Sequence, residues 1–158
     1  MRKQKASKTG RKSYEKGIEL EKRVERWLKR FGFDCESRYL ARGKISKRPY
    51  EIDVLATKKL YLGLVTKHLW VECKAYRVKR RHVTKLVESA RDVRDAYEND
   101  IESWKPDMLM LVSNEGFDVD AIGLANKYGI YCVEAKKTFK FVGKMSREYF
   151  EDCEGSNY

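Results

Sequence analysis

Hydrophobic positions along the chain change period several times, and each change marks an element. From about Tyr14 the apolar residues Leu20, Val24, Trp27, Leu28 and Phe31 recur with the 3.6-residue spacing of one helix face, and Gly32 offers a C-terminal stop. Phe33 to Ser37 reads as a first strand. Tyr50 to Ala56 alternates, with Ile52, Val54 and Ala56 on one face and Glu51 and Asp53 on the other. Residues 57 to about 65, with Gly63 available for a turn, connect it to a second alternating run, Leu69 to Tyr76. There Leu69, Val71, Cys73 and Ala75 share one face, while Trp70, Glu72, Lys74 and Tyr76 share the other.

Helical spacing returns from about Lys79 to Asn99, with Val83, Leu86, Val87, Ala90, Val93 and Tyr97 as its stripe. Lys105-Pro106 then breaks the chain. The continuous apolar run within Asp107 to Ser113 suits a central strand covered on both faces. Asp118 to about Tyr128 predicts a helix stopped by Gly129, and Ile130 to Val133 a short buried strand. A last strand near Phe139–Val142 and a short helix near Arg147–Phe150 complete the expectation. Helices and strands in this order predict an α/β domain, a mixed central β-sheet flanked by helices on both faces.

Length and charge narrow the picture. The 158 residues suit one domain over 14–158, preceded by a basic arm over 1–13 that has no apolar periodicity and is expected to be disordered. The formal charge of +11, from 35 Lys and Arg against 24 Asp and Glu, calls for a polyanionic partner, with DNA first. For the arm itself, non-specific phosphate contact and plain solubility stand as equal readings. No apolar run approaches the roughly 20 residues of a membrane span, and no apolar stretch follows the basic N-terminus as in a secretory signal. The expected compartment is cytoplasmic, with no membrane partner. Cys35, Cys73, Cys132 and Cys153 lie far apart without a Cys-x-x-Cys pair. That argues against structural zinc and for reduced, mostly buried thiols. The high charged fraction of 37% and the single glutamine lean thermophilic.

Two further cation clusters stand out. Arg38, Arg42, Lys44, Lys47 and Arg48 crowd a segment with Gly43 and Pro49, a basic loop placed to meet phosphate. Arg77, Lys79, Arg80, Arg81 and Lys85 gather where the second long helix starts. Cations there oppose the helix dipole, so an anionic ligand suits the position better than a purely structural role. His68 and His82 read as exposed residues that aid solubility.

Candidate chemistry sits on the two alternating strands. Asp53 between Ile and Val is disfavoured by strand propensity, and Glu72 with Lys74 sets a carboxylate and an ammonium side by side on one strand face. One reading is a weak surface ion pair; the other is a metal site, since buried charge needs a partner or a metal. If the strands form a hairpin, Asp53 joins the face of Glu72 and Lys74. Clustered carboxylates holding Mg²⁺ suit phosphodiester hydrolysis, and a nearby lysine can orient water or neutralise developing charge. The backbone carbonyl of Cys73 can complete the metal shell. Glu21, at the border of the first helix's apolar stripe, is either one more exposed carboxylate or part of this group. Trp70 reads as a packing residue, with base stacking as its other possible role.

Asp53 followed by Glu72-Cys73-Lys74 resembles the PD-(D/E)XK nuclease superfamily, with its restriction-endonuclease-like fold. Lys16-Gly17-Ile18-Glu19-Leu20-Glu21, with Gly32-Phe33 at the helix end, is similar to the start of Mrr-like restriction endonucleases and archaeal Holliday junction resolvases. Leu111-Val112-Ser113-Asn114-Glu115-Gly116-Phe117, with Ala121 and Ala125-Asn126-Lys127-Tyr128-Gly129-Ile130, is similar to the later half of Mrr-like domains. The likeness covers about residues 14–135. It implies Asp53 and Glu72 as metal ligands, Lys74 as the catalytic lysine and Glu21 as an accessory acid. Mg²⁺ is the implied cofactor, with Mn²⁺ able to substitute. Tyr76 and Arg77 match an aromatic-plus-basic ending after the lysine, and Arg77 is expected on phosphate. Two departures are Ile52 where a proline often stands, and Glu72 where Mrr-like chains often carry Gln. The implied activity is a metal-dependent DNA endonuclease, with a homodimer as one possible assembly. A Holliday junction resolvase and a catalytically inactive nucleic-acid-binding protein of the same fold are the alternatives.

Overall fold

In the computed structural model the backbone is described over residues 2–151 and the side chains over 9–151. The chain runs α1 (Arg2–Lys29), β1 (Asp34–Ala41), β2 (Tyr50–Leu60), β3 (Val65–Lys74), α2 (Arg80–Glu98), β4 (Met108–Ser113), α3 (Val119–Lys127), β5 (Ile130–Ala135) and β6 (Phe139–Val142). The six strands form one sheet in the order β1-β2-β3-β4-β5-β6. β1, β2 and β3 pair antiparallel, β3, β4 and β5 parallel, and β6 returns antiparallel on β5. α2 and α3 are the crossovers that parallel neighbours require. The mixed sheet and its helix layers match the expected restriction-endonuclease-like α/β architecture.

Two cores lie on opposite faces of the sheet. Leu20, Val24, Trp27 and Leu28 of α1 cover Val54, Ala56, Leu69, Val71, Met110 and Val133. Val83, Leu86, Ala90 and Val93 of α2, with Ala121 and Ala125 of α3, cover Ile52, Leu55, Trp70, Leu109 and Leu111. β4 contributes to both cores, which explains its continuous apolar run. Each fully buried Leu or Val contributes roughly 1.5–3 kcal/mol.

Several boundaries differ from the sequence reading. α1 begins at Arg2 rather than near Tyr14, so the segment expected to be disordered is helical. It holds no proline and is rich in Lys, Arg and other good helix formers, which lets a helix extend without an apolar stripe. β2 and β3 continue through the expected 57–65 connection, pairing Thr57 with His68 and Leu60 with Val65. Only Tyr61–Leu64 turns, with positive φ at Tyr61, Leu62 and Gly63. The short helix expected near Arg147–Phe150 is a single turn closed by the Phe150 N–H donating to the Arg147 carbonyl at 2.9 Å. Cys35, Cys73 and Cys132 are free thiols, while Cys153 lies outside the described residues. No described helix is long and apolar enough to cross a membrane.

Candidate metal and nucleic-acid site

The β2–β3 ladder ends at the pair Val54 and Val71, so the two strands part at Asp53 and Glu72. Beyond that point the Cys73 N–H no longer meets a backbone carbonyl of β2. The Asp53 carboxylate takes its place, accepting that N–H at 2.7 Å through Oδ2. β3 itself stays paired with β4 as far as Lys74 and Ser113, so one wall of the fork is rigid.

A second distortion aims Asp53. Strict alternation places Ile52, Val54 and Ala56 on one face, but Ile52 packs in the α2/α3 core while Val54 and Ala56 pack in the α1 core. The switch falls at Asp53 and at Arg38 across the β1–β2 ladder, where Arg38 adopts a φ of 54°. This places Asp53 at the seam between the layers. The β2–β3 register, continued by one pair from Val54 and Val71, sets Asp53 opposite Glu72 on one face, as alternation predicts, and Ile52 is the residue that departs from the pattern.

Four of the expected residues meet around this fork. Lys74 Nζ lies 3.4 Å from Glu72 Oε2, and Trp70 donates its indole N–H to Glu72 Oε1 at 3.0 Å. Burial and the Glu72 carboxylate push Asp53 up to about 6, against the pull of the Cys73 N–H and Lys74. Burial and Asp53 also raise Glu21, which reaches the fork from α1, although Arg38 lies 3.5 Å from Glu21 and pulls the other way. Burial alone would lower the Lys74 ammonium. Glu72, Tyr76 and Asp53 outweigh it and hold Lys74 above its ordinary value, so it is a cation at neutral pH. The Cys73 thiol is raised well above its usual value by burial and the surrounding carboxylates, so it stays neutral.

The fit of this cluster to a divalent cation rests on its donor set. Asp53 and Glu72 offer hard carboxylate oxygens, and Asp53 is raised first by burial and then by the neighbouring Glu72 carboxylate. Mg²⁺ keeps several waters and is commonly held by one or two carboxylates, so the pair fits. Among the described residues, no group of three or more His, Cys, Asp or Glu stands together as a ready-made metal cage.

The remaining expected residues separate. Arg77 donates to Asp118 Oδ1 at 2.6 Å and to the Phe117 carbonyl at 2.8 Å, which clamps the β4–α3 loop. Its side chain nonetheless stays 54% exposed. Arg42, Lys44, Lys47 and Arg48 are exposed on the loop before β2. That loop is pinned by Asp92 of α2, which is only 8% exposed. Asp92 accepts from the backbone N–H groups of Ile45 and Ser46 and from the Tyr50 hydroxyl. Arg38 turns inward to Glu21 and Tyr14 instead of joining this loop. Arg80 and Arg81 are exposed at the start of α2, and Arg81 lines a groove shared with Glu72 and Lys74.

Sequence reasoning missed three contributors. Trp70 is buried and orients Glu72 through its indole, a role visible in hindsight as an aromatic donor two residues away on the same strand face. Glu51 lines the groove and its charge raises both Asp53 and Glu21. Asp92 carried no sequence signal, because its partners are backbone groups of a distant loop.

No protein-family model matches the chain, and no curated protein matches it. Among solved structures, it is similar to the crystal structure of a protein of unknown function, AF1548, at 19% identity and a TM-score of 0.56. That likeness covers 74% of this chain and 56% of the other. A repair endonuclease from Pyrococcus abyssi aligns at 16% identity and a TM-score of 0.46, over 66% of this chain and 38% of its own. The chain thus spans little more than half of the first of these structures and less of the second. The first likeness concerns the fold alone.

Proposed function

We propose that the chain is a Mg²⁺-dependent DNA endonuclease of the PD-(D/E)XK type, hydrolysing phosphodiester bonds by direct attack of water. The observation that carries this reading is the fork itself, where the carboxylates of Asp53 and Glu72 and the Lys74 ammonium converge as β2 and β3 part. Asp53 and Glu72 would hold the ion, with the Cys73 carbonyl as a further oxygen and Glu21 behind Asp53. When bound, Mg²⁺ supplies charge neutralisation and an acidified water; Mn²⁺ offers the same coordination chemistry.

The chain's own residues do the rest. Lys74, a cation at neutral pH, is placed to stabilise negative charge on the phosphoryl oxygens rather than to act as a base. Trp70 fixes Glu72 so that its second oxygen faces Lys74. The Cys73 N–H holds Asp53 in one rotamer, which preorganises the carboxylate before substrate arrives. The exposed cations of the 42–48 loop and Arg81 extend a positive surface for the phosphate backbone.

The test is a panel of linear duplex, flapped, single-stranded and four-way DNA, each with Mg²⁺, Mn²⁺ or EDTA. Metal-dependent nicking of at least one substrate is expected, with none in EDTA. Binding to every member with no cleavage under any metal would contradict the enzyme reading and favour an inactive DNA-binding protein. Symmetric paired cuts confined to four-way junctions would make it a resolvase acting as a dimer.

A further inference from the structure

Beside the fork, on the α2 side of β3, lies an open groove of about 550 Å³, within the roughly 300–1,000 Å³ of small-ligand sites. Glu72 and Lys74 form one end of it, the Tyr76 and His82 rings stand at its rim, and Arg81 and Lys85 reach it from α2. Phosphate contact on the duplex exterior does not call for a recess of this kind. Its lining combines aromatic rings, the exposed cations Arg81 and Lys85, and the carboxylates of Glu51 and Glu72, the latter paired with Lys74.

The two ring planes are tilted at 51°, so the exposed Tyr76 ring is the stacking face and His82 flanks it. Tyr76 is 49% exposed, and its ring centroid lies 5.3 Å from that of His82. The backbone at Tyr76 and the ring of His82 are each held by a hydrogen bond. Ser113, fully buried, donates its hydroxyl to the Tyr76 carbonyl at 2.7 Å. His82 accepts the Lys79 N–H on Nδ1 at 2.9 Å. That bond requires an unprotonated Nδ1, and burial with the nearby charges of Arg81, Lys74 and Lys79 also lowers the His82 pKa, so the ring is neutral. A neutral imidazole beside a phenol suits a nucleobase better than a phosphate. The anionic part of a nucleotide would meet Arg81, Lys85 and Lys74.

We infer that this groove receives one nucleotide of an unpaired strand, its base on the Tyr76 ring beside His82 and its phosphate directed by Arg81 and Lys85 toward Lys74. A base inside a duplex cannot present its face to such a recess, so the preferred substrate has an unpaired nucleotide next to the scissile phosphate. The inference rests on the endonuclease reading for its catalytic meaning, but the groove's binding can be measured without cleavage.

The experiment uses the full chain in EDTA with oligonucleotides carrying 2-aminopurine, either single-stranded or in duplex. Wild type is expected to quench the single-stranded probe and bind it more tightly than the duplex. Tyr76→Ala should lose the quenching and about tenfold in single-strand affinity while duplex affinity changes less than twofold. Tyr76→Phe, which keeps the ring, should restore both. Equal losses on single strand and duplex in Tyr76→Ala, or no quenching by wild type, would overturn the inference. Cleavage assays separate the two claims. Quenching without any metal-dependent cleavage sinks the nuclease reading and leaves the groove assignment standing; duplex cleavage unaffected by Tyr76→Ala sinks the groove assignment alone.

Discussion

Asp53 shows how a single residue can be placed for function against its own stability. A carboxylate pushed up to about 6 from an ordinary 3.8 binds a proton more readily in the folded chain than in the unfolded one. The folded state is therefore favoured below about pH 4, and this contribution is lost as pH rises through about 6. Without metal, Asp53→Asn is expected to stabilise the protein at pH 7.5, by on the order of 1–2 kcal/mol after allowing for solvent screening. The gain should vanish near pH 4. Thermal melts of wild type and variant at the two pH values check this; a variant less stable than wild type at pH 7.5 would contradict the strain assigned to Asp53. Mg²⁺ should reverse the order at neutral pH, because ligand binding to the folded state raises its stability, and the wild-type Tm should rise with Mg²⁺ while that of Asp53→Asn does not. The identity of this residue was legible in the sequence as an acid out of place in a strand. Its place opposite Glu72 followed from the hairpin alternation, whereas the opening of the ladder beyond Val54 and the face switch at Ile52, across from the positive φ of Arg38, did not.

At the scale of elements, the segment between β1 and β2 holds its shape through α2. Gly43 leaves no room for a side chain, since an added Cβ would come within 2.0 Å of Asp92 Oδ2 and 2.8 Å of the Tyr50 ring. Gly43→Ala should push Asp92 off its partners and loosen the loop that carries Lys44, Lys47 and Arg48. Asp92→Ala removes the same acceptors directly and should cost about 1–2 kcal/mol, since three part-buried donors lose their partner and can turn to water. Urea melts measure the cost, and both variants should weaken DNA binding together with stability; unchanged melting in Asp92→Ala would refute the pin. The sequence showed this loop as a run of cations with Gly and Pro. It could not show the pin, because Asp92 sits far along the chain on a helix whose stripe gives no hint of a buried acid. Arg77 is the converse case. Its place after Glu72-Cys73-Lys74 suggested phosphate, whereas the local geometry of the β4–α3 loop uses its donors within the chain.

For the whole molecule, the two cores decide which side of the sheet each group of the proposed site comes from. α1 delivers Glu21 from one layer, and the α2 layer forms the groove beside Glu72 and Lys74. Leu28 is fully buried in the core between α1 and the sheet. Leu28→Ala should cost about 2–5 kcal/mol, or roughly 4–20 °C in Tm for a chain of this size, readable by calorimetry. The layered plan followed from the change of hydrophobic period and from the unbroken apolar run of β4. The start of α1 at Arg2 did not, because residues before Tyr14 carry no apolar stripe to mark them.

The account stands on the convergence of Asp53, Glu72 and Lys74 where β2 and β3 separate. It is tested most directly by the initial Mg²⁺-dependent cleavage rate of Lys74→Ala against wild type on the best substrate of the panel, with DNA affinity measured in parallel. Loss of one preorganised charge-stabilising group predicts a fall of about a hundredfold or more, with affinity changed by less than about threefold and the melting curve retained. A Lys74→Ala protein that folds, binds and cleaves like wild type would place the chemistry elsewhere.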